Sequence, residues 1–162
     1  MLAHMNTAAD LIAKFSLVPH PEGGWYREVH RSNERVVTPR GTRAALTTIY
    51  FLLERAQVSR WHVVASDEIW HFYAGAPLEL LVYRPTARTL ERQVLATPSG
   101  EHQPLGIVRA GEWQAARSLG DWSLVGCNVG PGFEFDDFEF VTETEGHADH
   151  FTGAMTPFRE LL

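Results

Sequence analysis

A chain of 162 residues, 44% hydrophobic and 21% charged, has the size of one globular domain and enough core to fold without disulfide or metal. Its formal charge of −6, with no cluster of Lys or Arg, argues against nucleic acid as a partner. The single cysteine, Cys127, excludes an intrachain disulfide and a CxxC metal knuckle and fits a reducing, cytoplasmic setting. No run approaches the roughly 18 apolar residues of a membrane span, and "MLAHMNTAAD" lacks the cationic start and apolar core of a secretory signal.

In chain order, residues 7–16 are predicted to form one short helix. Thr7 caps it, Asp10 closes a capping-box-like pair, and Leu11, Ile12 and Phe15 make one apolar stripe. After Pro19 the chain reads as β. "WYREVHRS" alternates; a polar stretch with Pro39 and Gly41 follows; "ALTTIYFLL" is β-branched and apolar enough for a buried strand. "RWHVV" and "EIWHFYA" are short strands separated by "ASD". "LELLVYRP" turns through "TART" into "LERQVL". "IVRAGEWQAAR", "DWSLVGCNVGP" and "FEFDDFEFV" are the last strands, and "TPFRELL" forms a closing helical turn. Short strands with turn signals about every ten residues predict a β-sandwich or barrel. No strand alternates with a long helix, which disfavours a doubly wound α/β sheet.

The stretch "RWHVVASDEIWHFYAG", residues 60–75, concentrates the chemistry. By strand parity Glu68, Trp70 and Phe72 share one face, and Ile69, His71 and Tyr73 the other. Arg60, His62 and Val64 share a face of the preceding strand. If these strands pair across "ASD", His62 and Glu68 converge. A carboxylate among Trp and Phe needs a partner. His62 can supply it as a metal co-ligand, as an acid–base partner, or as a plain buried hydrogen bond. His71 points away from Glu68 unless a bulge intervenes, toward the outer face or a subunit interface. Tyr73 is a candidate hydroxyl donor.

"HPEGGWYRE", residues 20–28, is a second candidate. Gly23 and Gly24 allow close backbone approach. Glu22, Trp25 and Arg27 could clamp a ligand, with Arg27 for a carboxylate or phosphate and Trp25 for stacking; the same residues also suit a turn with an aromatic plug. Trp70 and Trp113 are expected in the barrel wall, bordering the ligand. Cys127, in "LVGCNVG", reads as a buried small hydrophobe.

These blocks resemble the cupins. Glu68 to Gly75 has the spacing of the first cupin motif and His62 stands near its second histidine, while Arg60 occupies the place of the first. In "RAGEWQ" Gly111 fits the second motif and Gln114 replaces its histidine. "VPHPEGGWYREVHRS", "WHVVASDEIWHFYAGAPLEL" and "GEWQAARSLGDWSLVGCNVGPGFEFDDFE" are similar to the small subfamily sometimes called the fifth cupin family. The resemblance implies an all-β double-stranded β-helix (jelly roll) over about residues 22–145, with a short N-terminal helix and a C-terminal tail, in one domain. It implies a homodimer and a small-molecule ligand in the barrel. His62, Glu68 and Gln114 are then candidate ligands of a divalent transition metal, or the centre of a metal-free pocket. His62 and Glu68 are the candidate catalytic pair. Arg60, Trp70, Trp113, Gln114, His71, Tyr73, Glu22, Trp25 and Arg27 are candidate substrate contacts. The expected activity is an epimerase or isomerase acting on a sugar or sugar nucleotide; a non-catalytic metabolite-binding cupin and a metal-dependent dioxygenase are the alternatives.

Overall fold

The computed structural model describes residues 7–162. Helix α1 (Ala8–Phe15) begins at Thr7, whose hydroxyl accepts from the Asp10 N–H while the Asp10 carboxylate accepts from the Thr7 N–H, so the capping box forms as the sequence predicts. Ser16, in the left-handed conformation, closes it. Its apolar stripe packs through Leu11 against Leu52 and Leu124.

Thirteen strands follow. They are β1 (Val18–Pro19), β2 (Trp25–Arg31), β3 (Arg35–Thr38), β4 (Gly41–Ala44), β5 (Thr47–Glu54), β6 (Val58–Val64) and β7 (Asp67–Gly75). Then come β8 (Leu78–Arg84), β9 (Thr89–Leu95), β10 (Leu105–Val108), β11 (Trp113–Ser118), β12 (Trp122–Gly130) and β13 (Phe138–Phe140). One sheet runs β1-β2-β5-β12-β7-β10 and the other β13-β6-β11-β8-β9. All named pairings are antiparallel, and the two sheets face each other as a jelly roll. The facing sides bury Phe51, Leu53, Trp70, Leu80, Val82 and Val125 in one core.

Several segments differ from the sequence expectation. The polar stretch after β2 forms a hairpin of its own, β3-β4, tied down where the Arg43 guanidinium donates twice to Asp137 and Arg40 donates to the same carboxylate. "IVRAGEWQAAR" is two strands, broken by a turn at Gly111 with φ of 80°. The tail is more than one helical turn. Short 3-10 helices over His147–His150 and Gly153–Leu161 lay Phe151, Met155 and Leu161 against Trp61, Tyr83 and Trp113 on the outer face of the five-stranded sheet. This cover explains why β8 is buried on both faces. It also explains why Glu79, 1% exposed in that strand, is matched by two guanidinium groups, Arg92 and Arg117.

Strands β6 and β7 do not pair across "ASD". They belong to opposite sheets, so His62 and Glu68 approach each other across the barrel interior rather than along a ladder. A bulge in β6 shapes this further. Ser59 opposes Ala116 and His62 opposes Gln114, so two residues of β6, Arg60 and Trp61, stand against one of β11, Ala115. The extra residue breaks the parity that would put Arg60 on the face of His62.

Candidate functional site

The turn ahead of β2 supplies the first group. A Cβ on Gly23 would lie 2.0 Å from the Val58 carbonyl oxygen, and one on Gly24 would lie 2.7 Å from that of Leu52. Only glycine lets this turn press against β5 and β6. The Arg60 N–H then donates to the Glu22 carbonyl at 2.9 Å, and the Glu22 side chain is carried into the barrel. There it accepts from the Ser59 hydroxyl at 2.7 Å. His20, two residues earlier, accepts the Glu22 backbone N–H at Nδ1 (3.1 Å), which leaves its proton on Nε2.

His62 comes from β6. Its Nδ1–H donates to the Arg60 carbonyl at 2.6 Å, so Nε2 turns inward, 3.3 Å from Glu22 Oε2. Two lone pairs at that distance would repel, so a proton sits on one of the two groups. The His62 ring stacks on Phe138, with centroids 5.1 Å apart. Burial lowers its basicity, and the nearby Glu68 charge opposes that shift. Burial raises the Glu22 carboxyl in turn.

Glu68 comes from β7 in the other sheet. Gln114 Nε2 donates to its Oε2 at 2.6 Å, and the Gln114 carbonyl oxygen accepts from the Trp70 indole at 2.9 Å. The buried Cys127 thiol lies close enough to Glu68 to influence its titration. Burial pushes the Glu68 carboxyl from 4.5 up to about 7; the Glu22 charge adds to the rise, while His62, Gln114 and Cys127 oppose it. Cys127 itself is pushed well above the ordinary thiol range by burial, then by Glu68, and is therefore no nucleophile.

Glu22, His62 and Glu68 line the closed end of a cavity of about 290 Å³. Its mouth lies between β2 and the segment before β13, at Arg27, Arg31, Glu134 and Phe135. Of the residues expected at the site, the structure thus gathers His62, Glu68, Glu22 and Arg27. Gln114 and Trp70 stand behind Glu68 and do not line the cavity. Arg60 lies over the Phe140 ring at 4.4 Å, outside the cavity, because of the β6 bulge. Trp113 lies on the opposite face of its sheet, beneath the C-terminal turns. Trp25 packs beside α1 and donates to Glu54 at 2.9 Å. His71 and Tyr73, expected among the substrate contacts, do not line the cavity; strand alternation puts them on the outer face, with His71 Nε2 accepting from the Asn128 amide at 3.0 Å and Tyr73 half exposed beside Tyr50.

The sequence places His20 in the "HPEGGWYRE" turn without a role and marks Cys127 as a buried small hydrophobe; both line the cavity. Spacing from Glu22 could have indicated His20; nothing local marks Cys127, which becomes a site residue only because β12 lies beside β7.

The expected metal set does not fit. A centre built from His62, Glu68 and Gln114 needs three converging lone pairs. Gln114 turns an N–H toward Glu68 and commits its oxygen to Trp70. Among the described residues no three His, Cys, Asp or Glu side chains are grouped for a metal ion.

Residues 9–141 match the family Cupin_5, described as Cupin superfamily (DUF985). A hypothetical protein from Leishmania major is similar at 36% identity over 83% of this chain and 86% of that one, with a TM-score of 0.76. A protein from Shewanella oneidensis is similar at 37% identity over 84% and 85%, with a TM-score of 0.77. A cupin-2 domain protein from Rhodospirillum rubrum shares the fold at 15% identity, over 90% and 82%, with a TM-score of 0.60. No curated protein matches the chain in sequence.

Proposed function

The chain belongs to the Cupin_5 family of the cupin superfamily, and from that premise we propose that it is a small-molecule enzyme of the isomerase or epimerase kind, moving a proton on a carbon next to a carbonyl. One observation carries the reading. Glu68, a carboxyl still half protonated near pH 7, faces the proton-sharing pair His62–Glu22 at the closed end of a cavity. Titratable groups whose environments split their roles at neutral pH are the mark of acid–base sites.

In this scheme the His62–Glu22 pair is the base. Whichever member lacks the shared proton accepts one from carbon. Glu68 donates its proton to the carbonyl oxygen as the enol forms. Return of the carbon proton on the other face, with the enol O–H proton passing back to Glu68, completes epimerisation; where the α-carbon bears a hydroxyl, its return to the former carbonyl carbon, with that hydroxyl's proton passing to Glu68, completes isomerisation. The Arg60 carbonyl fixes the His62 tautomer, and Gln114 fixes which oxygen of Glu68 is free to give its proton.

The test is NMR of carbonyl compounds incubated with the protein in D2O. The scheme expects α-hydrogens to exchange for deuterium with wild type and exchange to fall at least about a hundredfold in His62→Gln, the usual contribution of a general base. Equal exchange by both proteins would sink it.

A further inference from the structure

We propose that the substrate of this site is a small, largely apolar carbonyl compound rather than a sugar; the inference rests on the proton-transfer reading of the cavity floor. The polar groups of the cavity fall into two separate sets. Glu22, His62 and Glu68 are buried at the closed end, with the His20 ring beside Glu22 at 3.6 Å. Arg27, Arg31, Glu28 and Glu134 are at the mouth, where Arg31 is already held by Glu28 and Glu134 at 2.9 and 2.8 Å.

The belt between the two sets is made by Ile49, Phe51, Val64, Val129 and Phe133, whose side chains offer no hydrogen bond. Thr47 lies in the same belt; its hydroxyl accepts from the Phe133 N–H at 2.9 Å and keeps one O–H to donate. The Tyr26 ring packs against His20, with centroids 4.5 Å apart and planes at 80°. The Cys127 thiol is buried and is a weak hydrogen-bonding group.

A sugar carries hydroxyls all around its ring. Seated here, those facing the belt would be stripped of water with no partner, and each such group weakens binding. A molecule with one carbonyl at its end meets the opposite requirement. The carbonyl reaches Glu68 and His62, and an apolar body fills the space against Phe51 and Phe133. A volume of about 290 Å³ is at the lower end of small-molecule sites, which run from about 300 Å³ upward. That suits a single ring and excludes a whole sugar nucleotide from the interior.

The experiment uses phenylacetone, which has one ring, one carbonyl and exchangeable α-hydrogens, with glucose as its polyhydroxylated counterpart. Affinity for the full-length wild-type protein is measured by calorimetry, and deuterium uptake is followed by NMR. Phenylacetone is expected to bind at least about tenfold tighter than glucose, the effect of one unpaired buried hydroxyl. Phe133→Ser is expected to weaken phenylacetone several-fold. Glucose binding equally or more tightly overturns the substrate class, and if glucose then exchanges hydrogen the proton-transfer scheme stands without it. Failure of phenylacetone to bind also overturns the class. Tight phenylacetone binding with no deuterium uptake upholds the ligand class and overturns the proton-transfer scheme instead.

Discussion

Replacing Glu68 by Gln should stabilise the protein at alkaline pH and leave it nearly unchanged in acid. The variant keeps the shape of the side chain and an oxygen to accept from Gln114, but it cannot ionise. In the wild type the folded state raises the carboxyl from 4.5 to about 7. A group raised in this way favours folding below its unfolded value, and that contribution is lost as pH climbs through the folded one. Below about pH 4.5 the buried carboxyl is neutral in both states and costs nothing extra. Above about pH 7 folding must bury its charge, at roughly 3 kcal/mol, from about 1.4 kcal/mol per tenfold in proton affinity. The stability difference between Glu68→Gln and wild type should therefore grow by about 3 kcal/mol between pH 4 and pH 9, with most of the change between pH 5 and 7. Chemical denaturation across that range measures it. His62 and Glu22 titrate in both proteins and interact with the Glu68 charge, so the difference reports Glu68 together with its coupling to that pair. A difference that stays flat with pH would refute the reasoning, because it would mean that burial does not hold the Glu68 proton.

Other outcomes follow from the same geometry. Gln114→Leu leaves the Trp70 N–H without an acceptor and removes a donor from Glu68; it should cost about 2 kcal/mol and move the Glu68 titration above about 7, seen by carbon NMR of the carboxyl. Trp113→Ala should lose about 3–5 kcal/mol in denaturation while binding phenylacetone as wild type does, since Trp113 packs outside the cavity. Asp137→Asn breaks the clamp with Arg43 and Arg40 and should cost about 3 kcal/mol at pH 7. Hydrogen bonds from Arg43 hold the Asp137 carboxyl below its ordinary range, so the wild-type advantage should shrink as pH falls through that range, which denaturation at pH 7 and pH 3 would register.

The parts of this architecture written in local pattern were legible before any coordinates. The Thr7–Asp10 box starts α1, and the β-branched, largely apolar run in β5 and the closely spaced strands of β8 and β9 form as their sequences indicate. Glu68 was legible as a site residue because a carboxylate beside Trp70 and Phe72 demands a partner. His71 and Tyr73 went to the outer face by simple alternation. What the sequence hid was long-range. The β6 bulge needs one extra residue opposite β11, and nothing in "VSRWHVV" marks it, so Arg60 left the site. Trp113 was assigned inward because the outer cover comes from residues 147–161, more than thirty positions later. Gln114 fell at the place of a cupin histidine, yet its two hydrogen bonds, to residues of β7 that lie 44 and 46 positions away, make it a support for Glu68 rather than a metal ligand.

The most direct test of the central claim is the titration of Glu68 itself. Protein labelled with carbon-13 at glutamate carboxyls would be followed by NMR from pH 3 to 9, with Glu68→Gln identifying the signal. The account predicts a midpoint near 7 that moves when His62 is replaced by Gln, since the two groups share one cavity floor. A midpoint near 4.5, unmoved in His62→Gln, would mean that Glu68 is an ordinary solvated carboxylate and would contradict the proton-transfer site built around it.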